Sequence, residues 1–372
     1  MLRKKTVIVI SGIIAATFVM THTLLEAQDP PTKVQAENSF FTGSHHLAQG
    51  NMVRALPHLE KAAELEPENS TYKDTLAIAL NNQGLRVVRE GNVPEGLKYL
   101  LKAVNLAPHD KDIVANFTQL AGQSASLPDD KLPTGEKIVV LNRWLELEPK
   151  NEQARRLLAT LTNNLAVQEA KSTAGNQDVD ALEHALALDP SNAKIKRNLA
   201  TAYHNRATEI SKSGLNEEET GLLRKALGLV PKDPLITQAL ARALSNWAVK
   251  KGAEEDFQSQ IDLLRESLEM VPNDPVTKKN LAAAHNNLAV SKRKDVSISE
   301  RISHLEKSMQ LDPKNKVTVA NLAQYLAAGG LREAKAGQFQ KAADLLEKAR
   351  KIDPENKAVK ANLVALYHNE AI

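Results

Sequence analysis

LEKAAELEPENSTYKDTL, residues 59–76, and LEKARKIDPENKAVKANL, residues 346–363, are two copies of one pattern, with proline at 67 and at 354. The prolines lie 287 residues apart, which is seven times 41, and the chain supplies the six intermediate ones at 108, 149, 190, 231, 272 and 313. Eight residues before each proline stands a leucine: Leu59, Leu100, Leu141, Leu182, Leu223, Leu264, Leu305 or Leu346. Two before it stands a further large apolar residue, from Leu65 through Met270 to Ile352. Two residues after it comes Asn69, Asp110, Asn151, Asn192, Asp233, Asp274, Asn315 or Asn356. A short side-chain oxygen at that point can accept from the unpaired amides of a helix's first turn. Each period therefore reads as one helix that starts at the cap (helix A), a turn, and a second helix that ends at the next proline (helix B). Gly91, Gly175, Gly214, Gly252 and Gly337 mark the turns, since a glycine takes positive φ at a helix end. Pro128 and Pro133 are expected to end one helix A early and leave a long loop.

Working outward, composition agrees. Aromatic residues make up 3% of the chain and no stretch alternates apolar and polar residues as a half-buried strand does. At 372 residues the chain is long for one compact core, and repeats resolve that difficulty. A hairpin cannot bury its apolar stripe alone, so the expected fold is all-α: a right-handed α-α superhelical solenoid of tandem helix hairpins.

The N-terminus is different. Arg3, Lys4 and Lys5 precede an uncharged run from Thr6 to Leu25, most apolar between Val7 and Met20. This reads as an N-terminal hydrophobic helix, residues 1–27 serving as a signal anchor or a signal peptide. Residues 28–36, with Pro30 and Pro31, read as a linker, and 37–372 as the repeat body. The basic residues stay on the cytoplasmic side, so the body is expected outside the cytoplasm, membrane-anchored in a periplasmic or extracellular position, or secreted if the segment is cleaved.

Several function classes lose support. There is no cysteine, hence no disulfide and no thiolate metal site. Removing Arg3, Lys4, Lys5 and Glu26 from the totals of 48 basic and 45 acidic residues leaves 45 against 44, which offers nucleic acid no basic face. No nucleophile triad, H-E-x-x-H or phosphate loop occurs, so no enzyme activity and no cofactor is expected. His45 and His46 are adjacent on a helix and point about 100° apart, so no metal site is expected there.

With these residues in view, the chain resembles the tetratricopeptide repeat family. Gly43, Gly50, Ala55, Leu59, Ala62 and Pro67 follow that family's 34-residue unit with no insertion, and Gly337, Ala342, Leu346, Ala349 and Pro354 match its second half. Seven extra residues in the later units amount to almost two helical turns and keep the helices in phase. Most of that length is placed in helix A, giving it about 20 residues, and a lone helix from Lys357 to Ile372 closes the chain.

The resemblance implies that helix A lines a concave groove. The stripe opposite its apolar face holds the positions 4, 7, 8, 11, 14, 15 and 18 residues after each proline. Two asparagine ladders fall on it: Asn116, Asn198, Asn280, Asn321 and Asn362 at position 8, and Asn82, Asn164, Asn205, Asn246, Asn287 and Asn369 at position 15. An amide carries an acceptor and two N–H donors, which suits an extended peptide backbone whatever its side chains. The alternative use is internal, each asparagine bonding its neighbours in the stack. The expected function is a non-enzymatic scaffold that holds a protein or peptide partner, and the alternative is a cell-envelope carbohydrate-binding module.

Overall fold

The computed structural model describes residues 31–172, 179–214, 216–293 and 295–370. The apolar segment expected at residues 1–27 lies outside them. The described residues are helical with turns between, and no helix among them is long and apolar enough to cross a membrane.

The chain divides into two compact units, residues 1–195 and 196–372. The first holds α1 (Pro31–Ala48), α2 (Met52–Leu65), α3 (Ser70–Arg89), α4 (Val93–Leu106), α5 (Lys111–Ser124), α6 (Thr134–Leu147), α7 (Glu152–Ser172) and α8 (Val179–Leu188). Helix α9 (Ala193–Ser211) starts at the division. The second unit continues with α10 (Asn216–Leu229), α11 (Pro234–Ala253), α12 (Phe257–Met270), α13 (Pro275–Val290), α14 (Ile298–Leu311), α15 (Lys316–Lys335), α16 (Phe339–Ile352) and α17 (Lys357–Glu370). The A helices α1, α3, α5 and α7 of the first unit and α11, α13 and α15 of the second each pair with the following B helix, and successive A helices also touch, as α3 does α5 and α13 does α15.

The local signals act as their chemistry requires. All eight cap residues accept from first-turn amides: Asn69 from Tyr72 N at 3.3 Å, Asp233 from Leu235 N at 3.0 Å, Asp274 from Thr277 N at 2.8 Å, and likewise Asp110, Asn151, Asn192, Asn315 and Asn356. Each such cap contributes about 1 kcal/mol. The eight leucines that precede the prolines are 2% exposed or less. Around them the core is leucine and alanine, with two groups of bonded hydroxyls in the second unit. Ser267 donates to the carbonyl of Ala241 at 2.8 Å and pairs with Ser245, which pairs with Thr277; Ser308 donates to Ala282 at 2.7 Å and meets Thr318 at 3.0 Å.

Four expectations are corrected. Residues 31–36, read as linker, belong to α1, and Ala36 is fully buried. Helix α1 therefore has 18 residues, so the first hairpin does not have a short inner helix although its motif matched an uninserted unit. Gly252 is not the turn residue: it lies in the last turn of α11, where the Gln260 side chain crowds it, and Glu255 takes the left-handed conformation at φ 58°. Helix A is not uniformly about 20 residues, since α13 stops at Val290. There Arg301 reaches back from α14 and donates to the carbonyls of Ala289 and of Ser291, the latter at 2.8 Å. Helix α5 ends at Ser124, ahead of Pro128 and Pro133, and Leu132 is buried and anchors the loop that follows.

Helices α3 and α4 cross at Gly84 and Gly96. A Cβ on Gly84 would lie 2.9 Å from the Gly96 carbonyl oxygen, and one on Gly96 2.3 Å from Val88 Cγ2 and 2.8 Å from the Gly84 oxygen. Gly96→Ala is therefore expected to destabilise by about 1–3 kcal/mol, overriding the gain of about 1 kcal/mol that alanine normally brings to a helix interior. Gly221→Ala in α10, where a Cβ meets nothing within 4 Å, should show the gain alone. Chemical denaturation of the two variants checks the opposite signs.

Candidate functional site

The two asparagine ladders separate once burial and bonding are known. Asn116 is 2% exposed and its Nδ2 donates to Asn81 Oδ1 at 3.1 Å, across from α5 to α3. Asn321 on α15 donates in the same way to Asn286 Oδ1 on α13 at 2.9 Å. Asn198, Asn280 and Asn362 are half-buried. Position 8 thus points toward the joint between neighbouring A helices. Position 15 points out: Asn164, Asn246 and Asn287 are exposed, and Asn82 and Asn205 half-buried. The side chain of Asn369 lies outside the described residues.

A third set of asparagines, at position 14, connects the two. Asn81 and Asn286 accept from the next A helix and donate onward to their neighbours Asn82 and Asn287, at 3.4 and 3.5 Å. Asn163 donates to Asn164 at 3.2 Å, and Asn164 Oδ1 also meets Lys194 Nζ at 3.4 Å. The relay occupies the oxygen of the position-15 amide, which leaves its N–H donors for the surface. Sequence reasoning put position 14 on the binding stripe and missed its tying role. The visible signal was the repeated Asn-Asn dipeptide at 81–82, 163–164 and 286–287.

In the second unit the exposed face can be read residue by residue. On each of α11, α13 and α15 positions 4, 7, 11, 15 and 18 after the proline are exposed and lie on one face of a helix at 3.6 residues per turn. Position 4 is Leu235, Val276 and Val317, and position 18 is Val249, Val290 and Leu331. The two apolar rows are separated by about 21 Å along the helices. Between them lie Gln238, Lys279 and Ala320, then Arg242, Ala283 and Gln324, then Asn246, Asn287 and Ala328. None of these fifteen residues is acidic. Between α11 and α13 the face opens into a cavity of about 300 Å³ lined by Gln238, Arg242, Asn246 and Asn280, with Val249 and Val276 at its ends. The equivalent face of the first unit has Thr71, Asp112 and Gln153 at position 4, so the apolar rows are not repeated there.

Other groups singled out in the sequence fall elsewhere. Trp144 is buried and its indole donates to Glu148 at 2.9 Å, while Trp247 is half-buried near the α9–α10 turn. His204 is half-buried and His368 exposed. His46 on α1 stacks on His58 of α2 at 6.1 Å between ring centres. Among the described residues no group of three or more His, Cys, Asp or Glu is placed to hold a metal ion. One histidine pair escaped notice in the sequence. His285 on α13 and His304 on α14 share a hydrogen bond, Nδ1 to Nδ1 at 2.8 Å, and His285 is 6% exposed. Burial, with His304, Lys307 and Arg265 nearby, pushes the His285 imidazolium down to about 4. Burial and Lys307 lower His304 too, against the opposing charge of Glu300.

No protein-family model and no curated protein matches the chain. Solved structures to which it is similar are tetratricopeptide repeat proteins. One is the TPR domain of P58(IPK), at 14% identity and a TM-score of 0.24, with 90% of this chain and 97% of that one covered. Another is a tetratricopeptide repeat protein from Parabacteroides merdae, at 14% identity and a TM-score of 0.20, covering 90% and 99%. Yeast Tom70 aligns over 94% of this chain and 67% of its own at 17% identity, with a TM-score of 0.22.

Proposed function

We propose that the chain is a non-catalytic scaffold that holds an extended polypeptide against the A-helix face of its second unit. The observation that carries this reading is the row of outward amides on α11 and α13, Asn246 and Asn287, flanked by two exposed apolar rows. Extended backbone presents carbonyl oxygens at regular intervals, and the relay leaves the Asn287 N–H groups to meet them. The apolar rows give side chains a place to lie, and their exposure is what a docking surface presents before it is occupied. In the first unit the position-15 amides are Asn82, half-buried, and Asn164, exposed, each with its relay; Asn116 serves the stack, as the internal use of the ladder requires. Position of the body outside the cytoplasm, tethered or released, is part of the proposal and rests on the charge and hydropathy pattern of residues 1–27.

The test separates surface amides from structural ones. Asn246→Ala with Asn287→Ala should weaken capture of unstructured peptides about tenfold or more and leave helicity and melting temperature in place. Asn116→Ala should do the reverse, lowering stability by about 1–3 kcal/mol, because Asn81 is left buried without its donor. Peptide and glycan arrays probed with both variants read out the result. Peptide capture that survives the surface variant removes the groove from the proposal, and glycan capture lost with it favours the carbohydrate reading.

A further inference from the structure

Along the B-helix side of the second unit one crossing recurs. Arg224 of α10 forks onto Glu266 of α12, with Nη2 2.8 Å from both carboxylate oxygens. Glu306 of α14 takes the ammonium of Lys348 of α16. Each crossing joins the residue seven before one repeat proline (231 − 224, 313 − 306) to the residue six before the next (272 − 266, 354 − 348). The crossing between these two, from α12 to α14, places Arg265 and Lys307 at the same positions (272 − 265, 313 − 307). Two neutral ion pairs thus flank a position where both partners are cations. Both are exposed, and neither makes an ion pair within 4 Å among the described residues.

The surroundings add positive capacity, and among the described residues the nearby carboxylates Asp262, Glu269 and Glu300 form no ion pair with either cation. The His285–His304 pair lies within the field of both cations, Arg265 and Lys307 at His285 and Lys307 at His304. Glu300, the acid that acts on His304, is committed to the start of α14: its carboxylate accepts from the Ser297 amide and hydroxyl, each at 2.8 Å. Glu269, one turn beyond Arg265 on α12, is exposed and forms no ion pair with it.

We propose that the α12–α14 crossing is a binding site for a divalent oxyanion, a phosphate or sulfate group that bridges Arg265 and Lys307 where the neighbouring crossings have a carboxylate. A guanidinium presents paired N–H donors that match two oxygens of such a group, as Arg224 does for Glu266. A carboxylate could offset only one of the two cations, whereas a doubly charged oxyanion offsets both. In water the empty arrangement is tolerated because like charges on the surface are screened. This site is on the B helices and does not depend on the proposed A-helix face.

The experiment is thermal unfolding of the full chain in tens of millimolar inorganic phosphate, against chloride at equal ionic strength and pH. Phosphate should raise the melting temperature of the natural protein by roughly 2–4 °C. Lys307→Glu rebuilds the neighbouring arrangement, so it should melt higher in chloride and lose the phosphate increment. The His304 ring resonances should shift on phosphate titration in the natural protein alone. Equal melting in the two salts, or an undiminished phosphate increment in Lys307→Glu, overturns the site; the second outcome is general salting-out by phosphate. Vesicles with phosphorylated headgroups that sediment the natural protein and not the variant assign the oxyanion to a membrane. A response to inorganic phosphate without vesicle binding assigns it to a soluble ion, and either outcome supports the site.

Discussion

Leu305→Ala is expected to destabilise the second unit by about 3–5 kcal/mol, on the order of 10 °C in melting temperature. Leu305 is fully buried and sits in a cluster that draws on every helix from α13 to α17: Ala289, Leu322, Leu326, Leu346 and Leu363 are members. Alanine neighbours leave few bulky side chains able to move into the vacancy, which keeps the cavity contribution near the upper part of its range. In a repeat array the loss should spread to neighbouring hairpins, because each contributes its face to a shared core. Hydrogen exchange should therefore show lowered protection in α13 and α15 together, with the first unit unaffected. A loss confined to α14, or one under about 1 kcal/mol, would contradict the shared-core account.

Acid should be the second large perturbation, and its sign follows from His285. Burial holds this group near 4 in the folded chain, against 6.5 when it is free. Between those values the unfolded chain binds the proton and the folded chain does not. Stability is thus at its full value above about pH 6.5, falls as the pH drops toward 4, and then levels off for this group. The total amounts to roughly 3 kcal/mol. His304 shifts in the same direction and adds to the loss. Lys307 and Arg265 strengthen it, since both oppose a further positive charge, and Glu300 opposes it at His304 only. Carboxylates held low, such as Asp274 by its hydrogen bond from Thr277, lose their contribution only at more acid pH, so the two phases separate. Urea midpoints measured from pH 7.5 to 4 should show the slope, and His285→Gln should flatten it. An unchanged slope in that variant would assign the acid loss to other groups.

Much of this molecule could be read without coordinates because its signals are local. The eight caps act within three residues of themselves, and the proline and leucine spacing marks helix ends and core positions by periodicity alone. That a chain of these residues is helical and where its B helices end follow from interactions over one or two turns, and the period marks which leucines are buried. Where a longer-range contact intervened the local reading failed. The end of α13 was displaced by Arg301, twelve residues beyond the carbonyl it caps. The turn after α11 passed to Glu255 because Gln260 occupies the space beside Gly252.

The candidate site shows the same division more sharply. A helical projection placed positions 4, 7, 8, 11, 14, 15 and 18 on one stripe, the asparagines among them, yet Asn81, Asn116, Asn163 and Asn286 are buried. It could not say which of them face a neighbouring A helix, because that depends on how helices from different repeats lie against each other. In the folded chain positions 8 and 14 meet across the joint, as Asn116 meets Asn81 and Asn321 meets Asn286, 35 residues apart in each case. That contact leaves positions 4, 7, 11, 15 and 18 to solvent on α11, α13 and α15. A helical repeat with an amide-rich, charge-poor stripe follows from composition and period. Which amides bind the stack together and which remain open depends on how helices of different repeats pack, and so do the meeting of His285 with His304 and the equivalent crossing positions of Arg265 and Lys307, because those relations run between helices that no local rule connects.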